Sequence, residues 1–338
     1  MPKAIIFSGA GASAPSGVPT FRGSGGIYGN VSIYRYVDAD AWNIHKIRKE
    51  ALAWYVTRTA YIASRKPNEY HTKLIEGLQK ELGVDPSKDL IVYTQNVDDL
   101  HEAGLITLNV PDAYSKVKHV HGKIRVWINR RNKREKNLRR RTRSGASFNP
   151  YLESLEIVKD AYDRIVSDEN KEKLALDIIY GKIDPISGLS SLIGTNVNHI
   201  INNIDEEGRR PGVVLYGEPV AYPNVKRDVE DLGIDEDVLY LIVIGTSLTV
   251  FPAAFIPLDI VSVARDKAKE IRVVVVAGED YEDVKDRVKR LIGSISEDTR
   301  DRVSVEFIKA YENTSMTVYE IIKRLKREYA IIRIICCF

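Results

Sequence analysis

The sequence predicts an α/β protein in which a doubly wound parallel sheet carries a smaller, mainly helical inserted module. Short apolar runs recur along the chain, and such runs are typical of strands that are buried on both faces of a parallel sheet. Helical patterns lie between several of these runs, as parallel connections require. Two stretches, 31–85 and 126–210, break the alternation, and we assign them to the inserted module.

The first strand is predicted at 4–7, an apolar run that ends at Ser8 and Gly9. Further buried strands are predicted at 90–93, 213–216, 238–244 and 271–277, with a weaker one at 303–308. Helices are predicted at 41–64, 280–292 and 317–326. The large domain then comprises 1–30, 86–125 and 211–338.

The predicted module has two parts. Residues 31–85 are mainly helical in pattern. Residues 126–210 contain a long helical pattern at 151–179 and a segment rich in Gly, Ser and Asn at 181–203. Because ligand sites form preferentially between domains, we expect the functional cleft to lie between the module and the sheet.

The overall composition is typical of a globular protein, with 44% hydrophobic and 29% charged residues among 338 and a net charge of +3. No segment reaches the roughly 18 apolar residues that span a bilayer, and the N-terminus lacks the features of a signal peptide. We therefore expect a cytoplasmic protein without a membrane contact. The only cysteines, Cys336 and Cys337, are adjacent, which excludes a disulfide framework.

One basic tract departs from this average. Residues 123–143 carry eleven Lys and Arg against a single acid, Glu135, so the tract has a net charge of +10 and the remainder of the chain −7. Such density, from Lys123 to Arg143, can hold nucleic acid through its phosphates. A solvated loop is the alternative, because charge runs are usually that. Trp127 lies near the start, but no aromatic residues alternate with the cations, so base stacking is not predicted.

A glycine-rich segment follows the first predicted strand directly: Gly9, Ala10, Gly11, Ala12 and Ser13. Glycines permit a tight turn and a close approach of the backbone to a pyrophosphate, and a helix after the turn presents free N–H groups to it. The arrangement is typical of a Rossmann-like dinucleotide site. Two glycines in a turn are common elsewhere, so the pentapeptide alone leaves both interpretations open.

Five segments, in order along the chain, carry a more specific pattern. GAGASAPSGVPTFRG at 9–23 resembles the sirtuin signature G-A-G-x-S-x-x-S-G-I-P-D-F-R, and TQNVDDLH at 94–101 resembles the T-Q-N-I-D-x-L-H of that family. HVHG at 119–122 contains its H-G pair. RPGVVLYGEP at 210–219 resembles R-P-x-V-V-x-F-G-E, and IVIGTSLTVFPAA at 242–254 resembles I-V-I-G-T-S-L-x-V-x-P-A-A. The large domain therefore resembles that of the sirtuin family.

The resemblance implies an NAD-dependent protein lysine deacylase, which transfers the acyl group of a protein or peptide lysine to ADP-ribose and releases nicotinamide. It implies NAD-binding roles for Gly9, Ala10, Gly11, Ser13, Phe21, Arg22, Gln95, Gly245, Thr246 and Ser247. It implies catalytic roles for His121, Asn96 and Asp98, and a strand edge for the acylated peptide at Val213, Val214, Tyr216, Gly217 and Glu218. For Ser247, capping of the next helix is an equally good interpretation.

His121 is the predicted general base. In the sirtuin family the histidine of H-G takes a proton from a ribose hydroxyl, and imidazole suits that step since it titrates near neutral pH. A structural histidine at a strand end is the alternative. His119, two residues earlier, shares the strand face of His121 if the strand is regular, yet no third ligand for a metal is apparent nearby.

Three features depart from the sirtuin pattern. No cysteine lies between His121 and Val213, so the four thiolates of the family's structural zinc site are missing and no metal is expected. Thr20 replaces the Asp of P-D-F-R, and the segment 100–104 is one residue shorter than L-H-x-x-A-G. These departures leave open an NAD hydrolase or mono-ADP-ribosyltransferase on the same scaffold. A nucleic-acid-associated protein that binds NAD as a ligand is a third hypothesis.

Overall fold

The computed structural model describes residues 1–23, 26–29, 31–129, 155–220, 222–293 and 302–327. Its strands, in chain order, are β1 (Lys3–Ser8), β2 (Leu90–Thr94), β3 (Val117–His119), β4 (Gly122–Asn129), β5 (Arg209–Val213), β6 (Val238–Ile244), β7 (Glu270–Ala277) and β8 (Val303–Lys309). Six of these strands form a parallel sheet in the order β3-β2-β1-β6-β7-β8, and β4 pairs with β5 in a separate antiparallel ribbon.

The sheet confirms the predicted doubly wound α/β fold. β1 lies near its centre and pairs with β2 on one side and β6 on the other, so that Ile5 stands opposite Ile91 and Leu241. All three side chains are buried, because a central strand of a parallel sheet is covered by helices on both faces. The chain order reverses between β1 and β6, and the crevice at the carboxyl ends of these strands is the expected ligand site.

Helices cover the sheet and build a second cluster beside it. In chain order they are α1 (Ala10–Ser13), α2 (Val31–Tyr34), α3 (His45–Ala63), α4 (Lys73–Leu82), α5 (Leu100–Thr107), α6 (Ala113–Lys116), α7 (Glu156–Ser167), α8 (Glu169–Ile179), α9 (Pro185–Ile193), α10 (Asn198–Glu206), α11 (Val225–Asp231), α12 (Ile256–Ala264), α13 (Tyr281–Gly293) and α14 (Thr314–Lys326). One face of the sheet buries Val229, Ile260 and Val284 from α11, α12 and α13. The other buries Leu74 from α4 and Ile321 from α14.

α3 forms the centre of the helical cluster. Its residues from Ala51 to Ile62 are all buried, as expected of a helix enclosed by neighbours on every side. α7, α8, α9 and α10 surround it and contribute Ile157, Ile178, Leu189 and Ile201 to the same core. The division of the chain into two units stays a prediction. The packing of α4 on the sheet favours a boundary between α3 and α4 rather than after residue 85.

The strand predicted at 213–216 is wrong. β5 ends at Val213, and it pairs with β4 outside the main sheet. Beyond that point the chain leaves the ribbon, since the Leu215 N–H donates to the Glu218 carboxylate at 3.0 Å. The apolar run correctly indicates burial, because both Val213 and Leu215 are buried, but burial does not reveal which neighbour covers a segment.

Polar residues divide the predicted helical patterns. The described part of 151–179 is two helices, because Asp168 ends α7 and caps α8, where its carboxylate accepts the Asn170 N–H at 2.8 Å. The segment 181–203 contains α9 and most of α10. Asp184 caps α9, because its carboxylate accepts the Ser187 N–H at 2.9 Å. The segment rich in Gly, Ser and Asn is therefore largely helical.

The remaining elements follow the prediction with smaller differences. The strands at 4–7, 90–93, 238–244, 271–277 and 303–308 and the helices at 280–292 and 317–326 are confirmed. The helix predicted at 41–64 begins with a separate 3-10 turn, Ala41–Asn43. β3 is not among the predicted strands, because it has only three residues and two of them, Lys118 and His119, are polar. No helix in the described ranges is both long enough and apolar enough to cross a membrane.

Candidate active site

A cleft of about 560 Å³ opens where the strand order reverses, at the carboxyl ends of β1 and β6. Its size falls within the range of small-molecule sites. The predicted residues that line it are Gly9, Ala10, Gly11, Phe21, Arg22, Gln95, Asn96, His121, Val213, Val214, Tyr216, Gly217, Glu218, Gly245, Thr246 and Ser247. Ser13 and Asp98 lie behind this wall. The sequence therefore identifies the segments that meet here.

The glycines of the two turns pack against each other. The Gly9 N–H donates to the Ile244 carbonyl at 3.0 Å, and the Gly11 N–H donates to the Gly245 carbonyl at 2.8 Å. A Cβ on Gly9 would lie 2.7 Å from the Gly245 carbonyl oxygen, and a Cβ on Gly11 would lie 2.8 Å from the Gly245 Cα. Gly245 has a φ of +64°, which other residues rarely adopt. These glycines therefore let the turns after β1 and β6 touch, a requirement separate from any ligand.

Asn96 ties the first turn to the end of β2. Its side-chain amide donates to the Gly9 carbonyl at 3.0 Å and to the Ser13 hydroxyl at 2.9 Å, and the residue is 3% exposed. Gln95 reaches the other turn and donates to the Thr246 hydroxyl at 2.7 Å. The helix expected after the first turn is a single turn, α1. Side-chain contacts, rather than a long helix, therefore hold this end of the cleft.

Asp98 is buried behind the wall. Its carboxylate accepts the Leu100 N–H at 3.2 Å, at the start of α5. Burial raises the pKa of this carboxyl to about 6, although hydrogen bonds from Leu100 and from the Ser13 hydroxyl oppose the rise. Asp98 therefore touches the site through Ser13 and Asn96 and not directly.

His121 lies between β3 and β4, and it lines the cleft. Burial, reinforced by the charge of Arg22, lowers the pKa of the imidazole to about 4. Its backbone carbonyl accepts the Val214 N–H at 2.9 Å, whereas its ring has no hydrogen-bond partner in the described part of the chain. His119 belongs to a different site, because β3 ends there and its ring faces Glu102 at 2.8 Å. A neutral imidazole open to a cleft can accept a proton.

Aromatic residues bridge the cleft. Phe21 packs on Tyr28 with ring centroids 5.0 Å apart, and Tyr28 contacts Tyr216 at 6.0 Å. The Arg22 guanidinium donates to the Tyr216 hydroxyl at 3.0 Å. These contacts place the predicted cofactor residues of the first loop beside the predicted peptide residues that follow β5.

In the segment predicted to pair with a peptide, two backbone N–H groups already donate hydrogen bonds within the chain. The Tyr216 N–H donates to the Val37 carbonyl at 2.8 Å, and the Val214 N–H is used in the contact with the turn before β4. The Glu218 carboxylate pairs with Arg210 at 2.8 Å. Strand addition at this edge is therefore restricted in the structure, although the segment does line the cleft.

The Sir2 family model matches residues 9–252, more than half of the chain. The chain belongs to the Sir2 family. An NAD-dependent protein deacylase of Aggregatibacter actinomycetemcomitans is 29% identical over 256 residues, 75% of this chain and 85% of the relative. An NAD-dependent protein deacylase of Pyrococcus abyssi is 30% identical over 258 residues, 75% of this chain and 76% of the relative. A solved Sir2 homolog–NAD complex is 20% identical and covers 96% of this chain and 89% of that chain, with a TM-score of 0.48.

Sequence inspection missed two residues of this sirtuin's cleft, Tyr55 and Arg58, which are neighbours on the buried face of α3. The Arg58 guanidinium lies 4.5 Å from the centroid of the Phe21 ring, and its Nε has no partner among the described residues. Burial lowers the pKa of Arg58. The signal was present in the sequence, because Arg58 is the only charged residue within the apolar stretch 51–63.

The departures from the sirtuin signature have local counterparts. The Thr20 hydroxyl donates to the Arg22 carbonyl at 3.0 Å and so shapes the turn that carries this arginine. The shortened segment 100–104 lies in α5, where a Cβ on Gly104 would lie 2.4 Å from the His71 carbonyl oxygen. Gly104 therefore lets α5 pack closely against the backbone at His71. Within the described ranges, no group of three His, Cys, Asp or Glu side chains is arranged to hold a metal ion.

The first two cations of the basic tract are engaged within this sirtuin. Lys123 donates to Glu102 at 2.7 Å, and Arg125 pairs with Asp99. Trp127, in β4, is buried. The tract from residue 130 onwards lies outside the described residues, as do Cys336 and Cys337.

Proposed function

We propose that this sirtuin is an NAD-dependent protein lysine deacylase, which transfers the acyl group of a lysine side chain to ADP-ribose and releases nicotinamide. The neutral imidazole of His121, open to the cleft beside the two glycine turns, is the observation that carries the proposal. The relatives named NAD-dependent protein deacylases support it.

The cleft residues fit a dinucleotide. Open space adjoins Gly278, which follows β7 in the cleft wall, because a Cβ there would meet nothing within 4 Å. Arg22 supplies a cation, and the Gln95 amide can both donate and accept, which suits a carboxamide. Bound NAD would supply a glycosidic bond that is activated by the positive charge of its nicotinamide ring.

We assign the cofactor residues by the part of the cleft that they line. Gly9, Ala10 and Gly11 are assigned to the pyrophosphate, and Ser13 supports their turn from behind through its contact with Asn96. Phe21, Arg22 and Gln95 are assigned to the nicotinamide ribose and amide, and Gly245, Thr246 and Ser247 to the adenosine side. Ser247 does not cap a described helix, because its hydroxyl pairs with that of Thr249 at 2.8 Å.

The catalytic roles follow from proton state and contact. We assign His121 as the base that takes a proton from a ribose hydroxyl, since burial keeps its ring neutral. Asn96 is assigned to hold the ribose, because it lines the cleft and fixes the first turn. Asp98 is a positioning residue that acts through Ser13.

The acylated lysine is assigned to the wall formed after β5. Val213, Val214, Tyr216, Gly217 and Glu218 line it. Because the N–H groups of Val214 and Tyr216 already donate within the chain, side-chain contacts should contribute more here than ladder hydrogen bonds.

Product analysis with NAD and an acetylated peptide tests the proposal. The expected products are acetyl-ADP-ribose, nicotinamide and the peptide with its lysine deacetylated. Free ADP-ribose without peptide would instead indicate an NAD hydrolase, and a modified protein would indicate a mono-ADP-ribosyltransferase. NAD binding without any product would favour the third hypothesis, a nucleic-acid-associated protein that binds NAD as a ligand.

A nucleic-acid partner stays a prediction, and it now concerns the tract beyond residue 129, because Lys123 and Arg125 are already paired. The test variant changes four tract arginines to Ser: Arg139, Arg140, Arg141 and Arg143. Titrations of DNA or RNA at several salt concentrations should show weaker binding and a shallower slope, by about one per lost phosphate contact. Arg125→Gln is the control and should keep the slope. Unchanged binding in the Ser variant would favour the solvated loop.

A further inference from the structure

A buried charge network lies behind the cleft. Glu102, on α5, is 1% exposed, and one of its carboxylate oxygens accepts hydrogen bonds from His119 Nε2 at 2.8 Å and from Lys123 Nζ at 2.7 Å. Burial raises the pKa of this carboxyl, but the charges of His119 and Lys123 more than offset the effect and hold it below its usual range. The second oxygen has no partner among the residues that the structure describes. Neutralisation of this charge therefore depends on His119 and Lys123.

His119 has both ring nitrogens engaged. Nδ1 lies 3.0 Å from the backbone carbonyl oxygen of Asn96, and Nε2 faces the Glu102 carboxylate. A backbone carbonyl and a carboxylate are both hydrogen-bond acceptors, so the ring is held between two acceptors. The His119 side chain is 4% exposed. Glu102 and the Asn96 carbonyl therefore fix the orientation of the buried His119 ring.

The His119 ring contacts the residue that orders the first turn. The Asn96 side chain holds the Gly9 carbonyl and the Ser13 hydroxyl. The Asn96 backbone N–H donates to the Thr94 hydroxyl at 3.1 Å, and its carbonyl accepts from His119. Loss of the ring N–H would free one end of Asn96 and leave a buried carbonyl without that donor.

We infer that His119 is a positioning residue for the reaction, and that Glu102 holds its ring against Asn96 and so fixes the turn at Gly9. The inference rests on the proposed function, because Asn96 is assigned there to the ribose. A purely structural role makes a different prediction: activity would return whenever stability does.

The test compares His119→Phe with the double variant His119→Phe/Glu102→Leu. The single change leaves the Glu102 charge buried with Lys123 as its donor, and such charges are strongly destabilising. The double change removes both buried polar groups, which can be nearly neutral when their shapes are replaced. Lys123 is 16% exposed and can direct its ammonium to water. We expect the double variant to melt closer to the parent than the single variant does.

Two reaction rates separate positioning from stability. In the double variant, nicotinamide exchange and deacylation should fall together, by about tenfold or more, because a misplaced ribose contact affects both. Glu102→Gln should retain most activity, since its amide can still hold the His119 ring against Asn96. Arg125→Gln, which breaks the neighbouring pair with Asp99, is the matched control and should keep both rates. Parent-level rates in the double variant would overturn the inference.

Hydrogen exchange in the ligand-free protein distinguishes this inference from the proposed function. Amide exchange at 9–13 should be faster in the double variant than in the parent and unchanged in Arg125→Gln, whether or not the chain deacylates lysine. A parent without deacylase activity whose turn still responds would contradict the function and support the positioning role. Unchanged exchange at 9–13 in the double variant would overturn the inference.

Discussion

Burial sets the protonation of single side chains around the cleft. It lowers the pKa of His121 to about 4 and raises that of Asp98 to about 6, so both shifts favour the neutral form. A base with so low a pKa is always ready to accept a proton but accepts it weakly. Because the charge of Arg22 contributes to the shift, neutralisation of Arg22 should raise the pKa of His121 towards its ordinary value.

His121→Ala should separate cofactor binding from chemistry. NAD affinity, measured by calorimetry, should stay within a few-fold of the parent, because the contacts of both glycine turns remain. Deacylation should fall roughly a hundredfold, the usual contribution of a positioned base. Nicotinamide exchange should fall less, since this proton transfer follows nicotinamide release. In Asn96→Ala both rates should fall together. Loss of NAD binding in His121→Ala, or full deacylation, would make the histidine structural.

The position of Arg58 predicts that the enzyme prefers lysine substrates with acidic acyl groups. It is a buried cation on the cleft wall, and its Nε lacks a partner in the described part of the molecule. A carboxylate at the end of the acyl chain would pair with it, which is worth about 1.5–3 kcal/mol for a charged hydrogen bond. Arg58→Met should therefore lower kcat/KM for a succinylated peptide by about tenfold to a hundredfold.

The acetylated peptide serves as the reference substrate for this comparison. In Arg58→Met, kcat/KM for this peptide should fall far less than kcat/KM for the succinylated peptide. Arg65→Met is the matched control, because Arg65 is paired with Glu172 at 2.7 Å outside the cleft. Equal losses for the two peptides in Arg58→Met would exclude a role in acyl selectivity.

Among the elements, those covered on both faces are the ones that sequence predicts well. The strand at 238–244 coincides with β6 because nearly every position in it is buried. The segment 213–216 shows the limit of the same reasoning: Val213 and Leu215 are buried in the helical cluster, and the segment joins the antiparallel ribbon at Val213 and makes an isolated parallel bridge between Tyr216 and Asp38. An apolar run reports that water is excluded, whereas the partner depends on the rest of the chain.

The site was predictable as a set of segments but not as a set of contacts. Family motifs identify the turns at Gly9 and Gly245, yet the contact between them joins distant parts of the chain. The same holds for Glu102, which follows a recognised motif but pairs with His119 from another. Local patterns encode turns and caps, while such pairs follow from the strand order.

Gly11→Ala should weaken the contact between the turns after β1 and β6. The added Cβ would lie 2.8 Å from the Gly245 Cα, and overpacking of this kind costs about 1–3 kcal/mol. That cost exceeds the gain of up to about 1 kcal/mol that Ala brings within a helix. Denaturant titration should show the loss. Gly29→Ala is the control, since its Cβ meets nothing within 4 Å. A neutral effect at Gly11 would show that the turns separate freely.

Across the whole molecule, buried histidines link stability to pH. Burial holds the pKa of His71 well below its usual value, helped by the neighbouring His101 ring at 4.6 Å. Burial also lowers the pKa of His101 to about 4, as it does for His121. Folding therefore keeps three imidazoles neutral at pH values where the unfolded chain would protonate them.

The free energy of unfolding should therefore fall as the pH drops from 6.5 towards about 4. In this window the unfolded state binds more protons at His71, His101 and His121, so stability rises with pH. Asp98 acts in the opposite direction, because its folded pKa of about 6 lies above the ordinary 3.8 and the folded state holds its proton. The lowered pKa values of His101 and His121, from 6.5 to about 4, together outweigh the raised pKa of Asp98. Because each tenfold change in the proton affinity of a group is worth about 1.4 kcal/mol, a net loss of a few kcal/mol is expected.

Asp98→Asn tests the sign of each contribution. Asn retains an acceptor for the Leu100 N–H but takes up no proton, so the opposing contribution disappears. Denaturant titrations between about pH 7 and about pH 4.5 should show a steeper loss of stability in the variant than in the parent, by about 2 kcal/mol, since folding raises the pKa of Asp98 from 3.8 to about 6. A parent that gains stability on acidification would contradict the neutral state of the buried histidines. A variant that parallels the parent would show that Asp98 is ionised in the folded protein throughout this range.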